Sequence, residues 1–416
     1  MRPRTSEGPA GERYARPVDT TAAKQELVAE VDAREQILLD VSHRIHARPE
    51  LCFEEEFAHD LLTDVLEAEG LDVERGAFGL DTAFVARAGT SGPTVAIMCE
   101  YDALPEIGHG CGHNIIGSAG LGAGLALAAR ADELGGRVVV LGTPAEEGGG
   151  GKAIMADRGA LDGVDVAMMV HPAPGDLIAM NAIAIQQVHV EYDGEAAHAA
   201  AFPQQGRNAL DAAVLGYMNV AALRQHIRTD ERIHGIFTRA GDKPNIVPAH
   251  TTAVWYVRSS QLRRLEPLKA RVLACLQAGA DAAGCEMTAA WQDPAYADMV
   301  DNPVMIDLFS ANSASLGRTL ADPAEVPGVV GSTDMGNVSY QVPSIHPMIA
   351  VSPPNVAIHT PEFAEHARGE AGDKGVLDGA KAMAMTAADL WLDAQSLALA
   401  HAAFTEAVSG DRWSAG

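Results

Sequence analysis

Residues 94–147 read TVAIMCEYDALPEIGHGCGHNIIGSAGLGAGLALAARADELGGRVVVLGTPAEE. An apolar run from Thr94 closes on the acids Glu100 and Asp102. Residues 114–134, rich in Gly and Ala, have the pattern of a small-residue helix. A second apolar run, RVVVLG, closes on Glu146 and Glu147. Strand, helix and strand in succession, each strand apolar throughout, predict an α/β fold with a mostly parallel sheet covered by helices on both faces. Outward from this unit, TAFVARAG (82–89) and VDVAMMVHPAP (164–174) read as further strands. Residues 23–48 and 54–70 read as helices, the second closed by Gly70. Ligands of such sheets gather at the carboxyl ends of the strands. Asp102, Glu146, Glu147 and His171 all fall there.

From about residue 184 the texture changes. IAIQQVHVEYDG (183–194) alternates like a half-exposed strand. A helix over 207–228, strands at HGIFTRAG (234–241) and TTAVWYVRS (251–259), a helix over 262–283 and a strand near 287–291 follow. That β-α-β-β-α-β order is a ferredoxin-like α+β unit. It reads as an insertion, because βα texture resumes after about residue 296 and ends in a helix over 374–397. The expected organisation is a flexible tail at 1–22, a catalytic domain from 23–183 and 296–405, and an inserted domain at 184–295.

The chain has 416 residues, enough for two or three domains. Its 56 acidic against 30 basic residues give a formal charge of −26, which repels nucleic-acid phosphates and anionic membrane surfaces. No apolar run reaches the roughly 18 residues that span a bilayer. The basic, polar N-terminus lacks the apolar core of a secretory signal. Five scattered cysteines, an odd number, predict free thiols and a cytoplasmic location.

Three chemistries compete for Glu106–Gly124. A dinucleotide loop needs Gly at position 125, where Leu125 stands, and Gly120, Gly122 and Gly124 lie inside a helical pattern; close helix packing explains them better. The later EEGGGGKA does not have Walker spacing. A Cys/His nucleophile would usually draw its histidine from distant sequence, whereas Cys111 and His113 are two apart, with no evident Asn or Asp partner. A metal site accounts for the most residues. Cys111 and His113 on a glycine-flexed loop, Glu146 and Glu147 at a strand end, His171 before Pro172 and His359 in NVAIHTPEF offer thiolate, imidazole and carboxylate together, a donor set that suits Zn²⁺. Adjacent glutamates can divide labour, one ligating and one taking a proton from water.

The stretches HARPELCFEEEFA, GHGCGHN, TPAEEGGGGK, MMVHP, GEAAHAAAFPQQGRNALDA, PNIVPAH, GSTDMGNVSYQVPSIHP and IHTPEF, in this order, resemble the M20 metallopeptidases. The likeness is to their amidohydrolase branch, which holds aminoacylase-like enzymes, aminobenzoyl-glutamate hydrolase and M20-domain dipeptidases. EYDALPEIGH and GSTDMGNVS favour the last two. The resemblance implies a catalytic domain with an inserted lid that dimerises, and two divalent ions per subunit, zinc first and manganese as the alternative. It implies Cys111, His113, Glu147, His171 and His359 as ligands, Glu146 as general base and Asp102 as the supporting acid. His198 would reach the partner's active site and steady the oxyanion, with Asn245 and Arg207 near the substrate. Two departures stand out. Asn114 replaces a common Asp, leaving the orientation of His113 open, and Glu100 stands where the wider family has a ligating His. His109 is a rival donor on spacing alone. The expected protein is a homodimeric, metal-dependent amidohydrolase cleaving N-acyl amino acids, dipeptides or aminobenzoyl-glutamate-like conjugates. A non-catalytic metal- or ligand-binding relative and a nicotinamide oxidoreductase are the alternatives. The presence of both Glu146 and Glu147 argues against a mere binder.

Overall fold

The computed structural model describes residues 19–325 and 330–409. Its larger sheet has six strands in the order Asp72–Arg75, Phe84–Ala88, Arg137–Thr143, Thr94–Glu100, Val166–Met168 and Ser344–Ile345. The last four run parallel, and the first two join as an antiparallel edge. Every residue of Thr94–Glu100 is buried, as its unbroken apolar run requires.

The glycine-rich helix His113–Leu134 packs on this sheet, and Glu370–Leu392 packs on that helix. A Cβ at Gly120 would stand 2.6 Å from the Met98 carbonyl oxygen, and one at Gly122 would stand 2.8 Å from Leu38 Cδ1. The glycines therefore allow close approach between layers and form no nucleotide loop.

The inserted unit has a separate sheet, ordered Glu286–Trp291, Ala184–Asp193, His250–Ser259, Arg232–Arg239, antiparallel throughout. The helices Ala209–Leu223 and Leu262–Ala283 pack against it around a core of its own that includes Val188, Trp255, Leu265 and Leu276. This is the ferredoxin-like arrangement expected. Its two connections to the larger sheet run side by side, Ile185 and Tyr296 exchanging both backbone hydrogen bonds at 3.0 Å.

Several elements differ from expectation. The first helix begins at Thr20, inside the expected tail, because the Asp19 side chain caps it; residues 1–18 lie outside the described residues. The helix expected over 23–48 is two, Thr20–Asp32 and Glu35–Ala47, with Arg34 at the break bonded to Glu30 and Glu69. The run VDVAMMVHPAP divides into Val166–Met168, in the large sheet, and His171–Ala173, which pairs instead with Met348–Ala350. The last helix is also two, Glu370–Leu392 and Ala394–Ser409, broken at Asp393, whose carboxylate accepts the Gln395 N–H. Among the described residues no helix is long and apolar enough to cross a membrane.

Candidate metal centre and catalytic turn

Where Thr94–Glu100 ends, the chain places Asp102 in the interior, 1% exposed. It then loops back so that His113 opens the glycine-rich helix. Gly112 makes the turn at φ 78°, and a Cβ there would strike Pro172 at 2.5 Å. One carboxylate serves three neighbours, the Cys52 thiol donating to Oδ2 at 3.4 Å. Asp102 Oδ1 is 2.9 Å from His113 Nδ1, and Oδ2 accepts the Glu147 N–H at 2.9 Å. Burial pushes the Asp102 carboxyl up, but His113 overrides it and holds it below the usual range.

The expected donors converge. Cys111 Sγ is 3.4 Å from His171 Nε2, and the hydrogen bond from His171 Nδ1 to the Pro172 carbonyl, 2.7 Å, leaves Nε2 as the donor nitrogen. Glu147 Oε1 stands 3.9 Å from His113 Nε2 and 3.5 Å from His359 Nε2. His359 turns at φ 65° and donates its N–H to the Gly110 carbonyl, so the late segment is tied to the Cys111 loop. Cys111, His113 and His171 form one group with ligand atoms within 4.8 Å of one another. Cys111, Glu147 and His359 form a second, and His113, Glu146 and Glu147 a third.

These residues fit a divalent cation. Glu147 Oε1 is buried without a hydrogen-bond partner among the described residues, 3.9 Å from His113 Nε2. Burial pushes the Cys111 thiol and both glutamates up; Glu100 and Glu147 add to the effect at Glu146, while His113 and His359 oppose it at Glu147. A thiol and two carboxylates in so dry a place need positive charge to ionise, and thiolate with imidazole suits zinc. His171, lowered to about 4 by burial and by His113, stands neutral, the state a ligand needs.

Glu146 and Glu147 sit on a turn beyond Arg137–Thr143 and border a cavity of about 390 Å³. His359, Tyr256, Arg258, Asp293 and Tyr296 also line it. Arg258 has no acidic partner among the described residues and contacts only Ser332 Oγ, at 3.4 Å, and the Tyr256 ring. The Tyr296 hydroxyl donates to the Glu146 carbonyl at 2.6 Å.

Asn114 does not touch the donors. Its Nδ2 donates to Ser42 Oγ and the Ala367 carbonyl, tying helices together, and the carboxylate on His113 Nδ1 is that of Asp102. His109 contacts the Ile45 carbonyl and belongs to none of the donor groups. His198, Asn245 and Arg207 cluster on the exposed inserted unit and do not line the cavity of their own chain. His198 Nδ1 accepts from Ala200 and Ala201, the Asn245 carbonyl accepts from Ala199, and Arg207 pairs with Glu195 at 3.1 Å.

Sequence reasoning missed a buried ionic group behind the turn. Lys152 Nζ, wholly buried, bonds Asp334 Oδ1 at 2.7 Å and also pairs with Glu100, whose other oxygen is 3.0 Å from His113 Nε2. It missed His346 as well, buried 5.4 Å ring to ring from His171 and lowered to about 3 by burial. The signal for Asp334 and His346 lay in GSTDMGNVSYQVPSIHP; nothing in local pattern marks Lys152 as buried.

A family model described as peptidase family M20/M25/M40 matches residues 96–389. The Xaa-Arg dipeptidase of Mus musculus is 38% identical over 92% of this chain and 93% of its own length. One subunit of the p-aminobenzoyl-glutamate hydrolase of Escherichia coli is 28% identical over 87% of this chain and 91% of its own. A Bacillus subtilis structure described as a dinuclear metal binding peptidase from the M20 family superposes with a TM-score of 0.61 at 18% identity, covering 83% of this chain and 98% of that one.

Proposed function

We propose, from the premise that this chain belongs to peptidase family M20/M25/M40, that it is a metal-dependent dipeptidase whose substrates carry a free terminal carboxylate. The observation that carries this reading is the paired-glutamate turn. Glu147 faces His113 and His359, while Glu146 borders the cavity with its carboxyl raised by burial.

Cys111, His113, Glu147, His171 and His359 would hold two divalent ions, Zn²⁺ or Mn²⁺. Such ions supply Lewis-acid activation of the amide carbonyl and of water. Glu146 takes the proton from the attacking water and returns it to the leaving amine. Arg258, an unpaired guanidinium on the cavity wall, takes the substrate carboxylate in a charge-assisted pair. Asp293, on the same wall, faces the rest of the substrate with a negative charge, which suits a basic side chain. The Xaa-Arg dipeptidase relative supports this choice. An aminobenzoyl-glutamate conjugate also offers a carboxylate to Arg258, but its second acidic group would face Asp293.

The active assembly is a homodimer of the inserted units. Arg232–Arg239 is an edge strand with Ile236 68% exposed. Phe237 on it meets Tyr217 of the neighbouring helix, which also exposes Val214, Leu215 and Met218. An apolar open edge calls for cover, and a second copy supplies it. His198 of one subunit would then act at its partner's site as oxyanion donor, with Asn245 and Arg207 beside it. Five free cysteines support a cytoplasmic location.

The test is amine release from Xaa-Arg and Xaa-Lys dipeptides, neutral dipeptides, N-acyl amino acids and aminobenzoyl-glutamate, with chelator and with Zn²⁺ or Mn²⁺ restored. Chelator-sensitive hydrolysis led by the basic dipeptides is expected. Metal-loaded protein that cleaves none of them overturns the reading.

A further inference from the structure

We propose that Glu55 is a positioning residue for the Glu146–Glu147 turn, its carboxylate fixing the backbone bend that separates the two glutamates. The inference rests on the roles proposed above for Glu146 and Glu147 and concerns a residue that lies outside the donor groups.

Glu55 is wholly buried and stands just before the helix Glu56–Ala68. Its Oε1 accepts two backbone N–H groups at 2.9 Å, from Phe53 and from Ala145. Its Oε2 accepts the Thr82 hydroxyl at 2.9 Å. Both residues whose amides it takes have left-handed backbone, Phe53 at φ 63° and Ala145 at φ 60°. Neither is glycine, so neither would choose that conformation unaided. The same bend brings their side chains to Gly149, where a Cβ would stand 2.3 Å from the Phe53 ring and 2.7 Å from Ala145 Cβ.

Ala145 immediately precedes the two glutamates. One backbone group of each of three successive residues is thus held by a different part of the chain: the Ala145 N–H by Glu55, the Glu146 carbonyl by Tyr296 and the Glu147 N–H by Asp102. The first bond fixes the peptide that leads into Ala145, and the other two fix the single peptide between Glu146 and Glu147, from which both glutamate side chains leave. Releasing the first frees the left-handed residue that starts the bend.

Glu55 has no cationic partner among the described residues, and burial, with Asp102 adding to it, raises its carboxyl to about 7. A buried acid without a counter-ion is an unfavourable way to fill space. What it offers that an apolar residue cannot is a single oxygen able to receive two backbone donors. A protonated carboxyl keeps that oxygen as an acceptor, so the clamp holds in either charge state.

The full-length chain and its Glu55→Ala and Glu55→Gln variants would be compared in zinc affinity, by competition with a chromophoric chelator, in kcat and KM on the best dipeptide, and in melting temperature. Folded Glu55→Ala should bind zinc at least tenfold more weakly, because Glu147 is misplaced, and should lose about a hundredfold in kcat with KM within about threefold. Glu55→Gln keeps an oxygen that accepts both N–H groups and should stay within about threefold of wild type in every constant. A folded Glu55→Ala with unchanged zinc affinity and kcat overturns the proposal. So does a Glu55→Gln impaired at the wild-type melting temperature, which alone decides if Glu55→Ala does not fold. Should wild type bind zinc and hydrolyse no amide, the proposed function fails while the affinity comparison still judges Glu55.

Discussion

Asp102 Oδ1 stands 2.9 Å from His113 Nδ1, both side chains being buried, and that contact turns Nε2 of the same ring toward the other donors. The carboxylate also accepts the Glu147 N–H. Asp102→Ala frees both donors at once. We expect zinc affinity and kcat/KM to fall about ten- to a hundredfold each, measured by chelator competition and initial rates. An unchanged affinity would mean that ring packing alone orients His113.

The proposed function gives Glu146 a different task from its neighbour, so the two should separate on mutation. Glu146→Gln removes the proposed proton carrier and should lower kcat by about 10²–10⁴ with zinc content retained. Glu147→Gln should lower zinc content itself. Metal analysis beside kinetics distinguishes the two, and full turnover by Glu146→Gln would sink its assignment as base.

Among the described residues the Arg258 side chain hydrogen-bonds Ser332, lies over the Tyr256 ring and pairs with no acid, which on the proposed reading leaves its charge for the substrate. Arg258→Ala should raise KM at least tenfold for dipeptides with a free carboxylate and change kcat little. Dipeptide amides, already lacking that charge, should show no such penalty. Equal losses on acids and amides would point to a packing role.

His198 lies outside the cavity of its own chain, so complementation can reveal whether a partner uses it. Glu146→Gln and His198→Ala proteins, each inactive alone, should regain about a quarter of wild-type turnover after random subunit exchange. Half of the dimers are then mixed, and each has one complete site. No recovery in verified mixed dimers would confine His198 to its own subunit.

Asp301 offers a test of stability rather than turnover. Burial alone raises its carboxyl to about 7 from 3.8, and its Oδ1 has no hydrogen-bond partner among the described residues. Between those values the folded chain holds a proton that the unfolded chain has released. The stability that proton lends is complete below pH 3.8, is lost as pH rises to about 7, and is level above. Asp301→Asn mimics the protonated form. It should match wild type near pH 4 and exceed it at pH 8, by at most about 4 kcal/mol. A gap that does not change with pH in denaturant titrations would show that Asp301 does not titrate in this window.

Much of this architecture is legible in the chain. Thr94–Glu100 and Arg137–Thr143 announce themselves because strands buried on both faces carry unbroken apolar runs, and the acids that end those runs mark the site. The split of VDVAMMVHPAP is not legible, since an apolar run looks alike whether one sheet or two receive it. Arg258 is hidden for a related reason. It sits in a strand that alternates toward water, and only the fold turns that face onto the cavity. Lys152 has the residue type of a surface position. Its burial depends on Glu100 and Asp334, the latter 182 residues away. Asn114 misleads in the opposite sense, because a neighbour of a candidate ligand need not point into the same site.

The adjacency of Ile185 and Tyr296 also bears on the order in which the protein can be made. A segment whose ends are bonded neighbours closes on itself and can fold as soon as it leaves the ribosome. The frame around it cannot. Ser344–Ile345, which completes the large sheet, His359 and the covering helix Glu370–Leu392 are all synthesised after the insertion is finished. A nascent chain stopped before His359 would carry a finished insertion beside an incomplete set of donors. A full set of donors would then await the synthesis of His359.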